Sequence, residues 1–250
     1  MNYCVVGDVH GEYKALLALV AKIPCIYQLV FVGDLIDRGS QSAHVVRFVR
    51  EHNLACVKGN HEIMMIEYGT KFIEDIKNNR KIEQNNMWLK HGGIETLRSY
   101  GLISMQDGQI YVHPFIDAFI FQFEDDIAWM KSLPLYLELN AKHSSGRNVV
   151  VSHSSIASVW NLKESKEEED MKSFDNTVLW GRMKPLDNNT IFNIFGHTPQ
   201  KYSADKQRHY VNIDTGCYIK KDKGFGLLSA YCVETEEIFS SAEFAYEKVS

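Results

Sequence analysis

Three stretches put polar, chemically capable residues directly behind hydrophobic runs: VVGDVHG at 5–11, VGDLIDRG at 32–39 and VKGNHE at 57–62. The first polar residues of these turns recur at equal intervals, 26 residues from Asp8 to Asp34 and 26 from Asp34 to Asn60. Two later apolar runs, NVVVSH at 148–153 and TIFNIFGH at 190–197, each end in a histidine, His153 and His197. Carboxylates, a carboxamide oxygen and neutral imidazoles together form a donor set for Mn, Fe or Zn, and a carboxylate that bridges lets one site hold two ions. Taken singly, Asp and Gly are ordinary turn residues. Three such turns at matched spacing point instead to convergence of Asp8, His10, Asp34, Asp37, Arg38, Asn60 and His61, joined by His153 and His197, and the constellation reads as a binuclear metal centre.

The elements that must position these groups follow an α/β rhythm. Strand runs at 3–7, 29–33 and 54–59 alternate with helical patterns: one through Tyr13, Leu16, Leu17 and Val20, one at 42–52 and one from Glu62. Parallel strands aim their following turns one way, and ligands of α/β sheets sit beyond those carboxyl ends. The middle, 83–133, reads as mostly helical. The second half is β-rich, with strand candidates at 148–153, 190–197, 209–216, 224–234 and 236–241, several expected to join by short turns as in antiparallel sheet. Two mixed sheets packed face to face, with helices outside, accommodate this in one domain spanning 1–250.

Composition bounds the function. At 250 residues and 45% hydrophobic the chain can bury one sizeable core, while a net charge of -5 gives no electrostatic basis for binding nucleic acid or an anionic membrane. Five scattered cysteines, without a C-x-x-C pair, suggest reduced thiols. No basic segment precedes an apolar stretch at the N-terminus, so the expected location is cytoplasmic. The acidic run KESKEEEDMK at 163–172 reads as a solvated loop or helix end. His44, His52, His143 and His209 lack the strand-end context and read as surface or packing residues; His91 and His113 carry no assignment.

In order and spacing, GDxHG, GDxxDRG, GNHE and the two later histidines resemble the PPP-type metallophosphoesterases, and most closely the compact bacterial and phage serine/threonine protein phosphatases. The resemblance runs from Gly7 to the NIDTG at 212–216. It implies a β-sandwich flanked by helices and two divalent ions, Mn with Fe or Zn as alternatives. It further implies Asp8 and His10 as ligands of the first ion, Asp34 as the bridge, and Asn60, His153 and His197 as ligands of the second. Arg38 and Arg182, the latter in LWGR, are implied as clamps on the substrate phosphate, and His61 with Asp37 as the general acid and its partner. Each role is physically sound. Two cations holding a water between them lower its pKa, a guanidinium forks onto phosphate oxygens, and an imidazole beside an anion keeps its proton near neutral pH. The expected reaction is direct in-line hydrolysis, by a metal-bridging hydroxide, of a phosphorylated protein or peptide, at serine or threonine and with tyrosine as an extension.

The chain departs from the family pattern at three places. Lys58 stands where many protein phosphatases carry Arg, keeping the charge of a phosphate contact but not the planar fork. Ser154 and Ser155 follow His153 in place of Ala-Gly or Gly-Gly, and LKHGG at 89–93 replaces a more usual Asn-Gly-Gly. Symmetrical dinucleoside tetraphosphate hydrolases are the nearest alternative, but they typically carry Ala at the position of Asp37 and Asp at that of Glu62. A non-catalytic phosphoprotein-binding scaffold is the alternative from another class. It expects a lost ligand or acid, and the pattern here is complete. None of the cysteines opens a C-x5-R loop and no GxxxxGK[ST] is present.

Overall fold

The computed structural model describes residues 2–219 and 223–241. Strand β1 (Asn2–Val6) leads to helix α1 (Tyr13–Val20), β2 (Tyr27–Phe31), α2 (Ser42–Glu51) and a short β3 (Ala55–Cys56). Helix α3 (Asn60–Met64) then passes through a π-turn at Met65–Gly69 into α4 (Thr70–Lys77), and α5 (Ile94–Ser99) follows. Next come β4 (Ile103–Gln106), β5 (Gln109–Val112), α6 (Ile120–Ser132), β6 (Tyr136–Lys142), β7 (Asn148–Ser152) and α7 (Glu168–Trp180). The described chain closes with β8 (Ile191–Phe195), β9 (Asp205–Lys206), β10 (Tyr210–Asn212), β11 (Ser229–Cys232) and β12 (Ile238–Ser240).

Two five-stranded sheets result, in orders β12-β11-β1-β2-β3 and β6-β7-β8-β10-β9. Both are mixed around three neighbouring parallel strands, β1, β2, β3 in one and β7, β8, β10 in the other; antiparallel β11 and then β12 extend the first unit on its β1 side, whereas antiparallel β6 and β9 flank the second on both sides. The period of two along each strand sorts side chains between layers. Val5, Val30 and Val32 meet Val149, Val151, Phe192 and Ile194 between the sheets. Cys4, Val6 and Phe31 face instead the cluster formed by α1, α2 and α6. On the far side Val150 and Ile191 pack against Phe174 and Val178 of α7. This is the expected helix-flanked β-sandwich of two mixed sheets.

The local differences have physical causes. The segment expected to be mostly helical contains the β4–β5 hairpin, turned by Asp107-Gly108 with both residues at positive φ, which is the hairpin signal of an Asp-Gly pair. Strands β7, β8 and β10 run parallel rather than as hairpins, because α7 supplies one of the crossovers. The tight turn between β11 and β12 does give the antiparallel pairing expected there. The helix expected from Glu62 begins at Asn60. The acidic run feeds the first turn of α7 with Glu168, Glu169 and Asp170, where the helix dipole favours anions. Among the described residues no helix is long and apolar enough to cross a membrane.

Candidate metal centre

The six parallel strands all end at one edge of the sandwich, and each delivers a polar turn there. Asp8 and His10 follow β1, Asp34 follows β2, Asn60 and His61 follow β3, His153 follows β7, His197 follows β8 and Asp214 follows β10. All eight are buried. The turns are cross-linked by backbone: the amides of Val9 and His10 donate to Asp34 O at 3.1 and 2.9 Å, and Gly39 donates to His10 O at 2.9 Å. His10, Asp34, Asp37, Arg38 and His197 take positive φ between 46° and 71°, a conformation non-glycine residues keep only where the surroundings enforce it. Glu62 supplies much of that enforcement. Its fully buried carboxylate accepts from the amides of Asp34 (2.8 Å), Leu35 (2.9 Å) and Gly59 (2.8 Å).

Donor atoms of His10, Asp34 and His61 lie within 4.8 Å of one another, as do those of Asp34, His153 and His197, so the two groups share Asp34. The imidazole tautomers are set from behind. Nδ1–H of His10 donates to Ile36 O at 2.9 Å and that of His153 to Val32 O at 2.9 Å, leaving each Nε2 lone pair facing inward, the arrangement typical of metal-ligating histidines. Inside, His153 Nε2 lies 2.8 Å from Asn60 Oδ1, 3.1 Å from His197 Nδ1 and 3.5 Å from Asp34 Oδ1. His197 Nε2 is buried without a hydrogen-bond partner among the described residues. The inward lone pairs of His153 Nε2, Asn60 Oδ1 and His197 Nδ1, converging without a donor between them, suit a divalent cation, so the residues fit the metals expected of them. Asp8 joins the site differently from His61. Its carboxylate accepts from the His197 amide at 3.2 and 3.0 Å, and a Cβ at Gly196 would lie 1.8 Å from its Oδ1, so only glycine leaves room there.

Charge in this pocket is tightly matched. Burial would raise the Asp34 carboxyl, but the imidazoles of His153, His61, His10 and His197 outweigh it and keep it well below the ordinary carboxylate range. Burial lowers His10 and His153, and with His153 as neighbour brings His197 down to about 3, so these rings are neutral and available as ligands. Burial, then the Asp34 charge, raises Glu62 to about 7, and burial raises Asp214 to about 7. His61 goes the other way. Burial acts to lower it, yet the carboxylates of Asp34 and Asp37 prevail and its pKa is raised. Its Nδ1 sits 2.6 Å from Asp37 Oδ2. Asp37 is itself fixed by the Trp88 indole N–H at 3.0 Å from both oxygens and by the Thr96 hydroxyl at 2.6 Å.

A cavity of about 320 Å³ opens over the centre, reached by His10, Asp34, Asn60, His61, His197 and Asp214. Arg38 and Arg182 both line it. Arg38 lies under the Tyr218 ring at 4.2 Å with Nη2 3.3 Å from His61 Nε2, and Arg182 Nη1 donates to Thr198 Oγ1 at 3.3 Å. Lys58 is not brought in: its ammonium donates to Lys131 O at 3.1 Å, away from the cavity wall. His91 reaches the rim, while His113 packs against Phe119. His143 stacks on Phe192 at 3.6 Å as a packing residue. Sequence reasoning missed Trp88 and Thr96, which carry no local signal, and Asp214, whose strand-then-acid pattern repeats that of Asp8 and Asp34.

The chain has relatives of known name in both sequence and fold. The chain is 39% identical over 92 residues to serine/threonine-protein phosphatase 2 of Escherichia coli (strain K12), a stretch covering 36% of this chain and 37% of that protein. It is 27% identical over 221 residues to serine/threonine-protein phosphatase 1 of Salmonella typhimurium, covering 85% of each. It is also 26% identical over 272 residues to the asymmetrical bis(5'-nucleosyl)-tetraphosphatase PrpE of Oceanobacillus iheyensis, covering 97% of this chain and 92% of that one. A solved serine/threonine phosphatase from Saccharomyces cerevisiae, 16% identical, superposes with a TM-score of 0.57 over 97% of this chain and 81% of its own, which shows a shared fold. Residues 1–201 match the calcineurin-like phosphoesterase pattern, and with a buried His/Asp donor set at the strand ends the chain belongs to that family of metal-dependent phosphoester hydrolases.

Proposed function

We propose that this chain is a phosphomonoesterase that acts on phosphorylated proteins, removing phosphate from serine or threonine and, as a secondary activity, tyrosine. The observation that carries the reading is the buried His61–Asp37 pair, 2.6 Å apart. An alkoxide leaves poorly unless it is protonated, whereas a nucleoside phosphate or an aryl oxide departs without help. A dedicated acid with a raised pKa is therefore most useful to an enzyme that cleaves alkyl phosphates. Protein phosphatases among the relatives, one matching over 85% of both chains, support the same substrate class.

The residues suit two divalent ions, with Asp34 as the shared ligand, Asp8 and His10 completing one side, and Asn60, His153 and His197 the other. Mn is the proposed metal, Fe and Zn being compatible with the same donors. Bound there, such ions would acidify a water and neutralise charge on the phosphoryl oxygens. The chain's own groups do the rest. Arg38 and Arg182 take the phosphoryl oxygens in forked hydrogen bonds and set the phosphorus in line. His61 gives its proton to the leaving oxygen, and Asp37, anchored by Trp88 and Thr96, holds the ring in register and its charge in place. A cytoplasmic setting is proposed on the strength of five unpaired cysteines.

A second reading, hydrolysis of dinucleoside tetraphosphates, is favoured by the relative that matches 97% of this chain and by the aromatic walls, Trp180 and Tyr218, beside the cavity. The discriminating experiment is side-by-side kinetics on phosphoserine, phosphothreonine and phosphotyrosine peptides and on diadenosine tetraphosphate, after stripping the metals and restoring Mn. A higher kcat/KM on a phosphopeptide is expected. A higher value on diadenosine tetraphosphate would transfer the assignment to the second reading.

A further inference from the structure

Ser154 stands immediately after His153, where the resembling family carries Ala or Gly, and it is fully buried. Its amide donates to Val178 O at 2.9 Å. Its hydroxyl reaches the same oxygen at 2.9 Å and also Thr177 O. These carbonyls belong to the last turn of α7: Thr177 O also accepts from the Gly181 amide at 2.9 Å, while Val178 O, at a helix end where acceptors lack intrahelical donors, is taken up by Ser154. Directly beyond lie Trp180, Gly181 and Arg182. A Cβ added at Gly181 would come within 2.6 Å of Thr177 O and 3.3 Å of Ser154 Oγ, so the exit turn is closely packed on the serine. Arg182 itself is exposed, held by weak contacts to His197 O at 3.5 Å and Thr198 Oγ1 at 3.3 Å. A long exposed side chain loses rotamer freedom when it is aimed, so its direction depends on a fixed backbone.

We infer that Ser154 is a positioning residue for the phosphate clamp: its hydroxyl ties the end of α7 to the His153 turn and so holds Arg182 and Trp180 at the cavity. The inference rests on reading the cavity as a phosphoester site, but not on the choice of protein substrate, because it is tested with an aryl phosphate and inorganic phosphate. Arg182 grips the phosphoryl group in ground and transition states alike, so weakening it raises KM more than it lowers kcat.

The test is a double-mutant cycle of Ser154→Ala with Arg182→Ala, read as KM and kcat on p-nitrophenyl phosphate, the inhibition constant of inorganic phosphate, and bound Mn. Ser154→Ala alone is expected to raise KM and the phosphate inhibition constant about tenfold, with kcat and Mn content within about twofold of the parent. In the Arg182→Ala background the serine change is expected to add nothing, since both substitutions remove one interaction. Ser154→Cys, close in volume but a much weaker hydrogen-bond donor, serves if the alanine variant folds poorly. Equal effects in both backgrounds, or a lowered melting temperature with unchanged phosphate affinity, would overturn the inference and leave Ser154 as a helix-end packing residue.

Discussion

His61 is the residue on which the substrate assignment turns, and its environment makes a directional prediction. As a proton donor it works only while protonated, so activity on an alkyl phosphate falls as pH rises through its pKa. The Asp34 and Asp37 carboxylates raise that pKa above the ordinary 6.5, and the alkaline limb is expected correspondingly late. Asp37→Asn removes one of the two charges and the 2.6 Å hydrogen bond, and is expected to move that limb to lower pH. His61→Asn is expected to depress phosphoserine-peptide hydrolysis about a hundredfold to ten-thousandfold while sparing an aryl phosphate, whose phenolate needs no proton. Equal losses on the two substrates would remove His61 from the acid role and leave it a positional one.

At the scale of the element, the centre is a property of strand ends. Each parallel strand contributes one turn, and the two sheets close on each other so tightly that β8 can be followed only by glycine where it passes Asp8. Gly196→Ala would drive a methyl carbon to 1.8 Å from Asp8 Oδ1, so the carboxylate must swing away while the strand, buried between neighbours on both sides, stays put. The expected result is a folded protein whose Mn affinity is lower by about tenfold to a hundredfold, measured by competition with a chelator. Retention of parental affinity would place Asp8 outside the ligand set. The turns themselves were legible in the sequence, because each polar residue directly follows a hydrophobic run and the spacing repeats. The supports were not. Trp88 and Thr96 reach Asp37 from a segment whose pattern says only that it is partly buried, and Glu62 does its work on backbone amides of the β2 turn, a contact that exists only once β2 and β3 are paired. Lys58 shows the converse failure, a cation beside the motif whose strand geometry aims it at Lys131 instead.

The molecule as a whole is two three-strand parallel units, one per sheet, packed so that their carboxyl ends face a common cavity. The layering was legible from alternation along the strands, but the parallel order of the second sheet was not, because α7 lies in a segment whose charges read as a loop or helix end and whose apolar face, Phe174 and Val178, is sparse. The consequence of this architecture is that neither sheet holds a complete site: Asp34 comes from one and His153 and His197 from the other, with Asp34 common to both donor groups. The most direct measurement is a titration of metal-stripped protein with Mn, following phosphoserine-peptide hydrolysis and bound metal together, for the parent and for Asp34→Asn. The account predicts that activity appears only with metal and saturates at two equivalents in the parent, and that Asp34→Asn binds both weakly and stays inactive. Turnover by the stripped parent in the presence of chelator, or near-parental metal content and rate in Asp34→Asn, would contradict it.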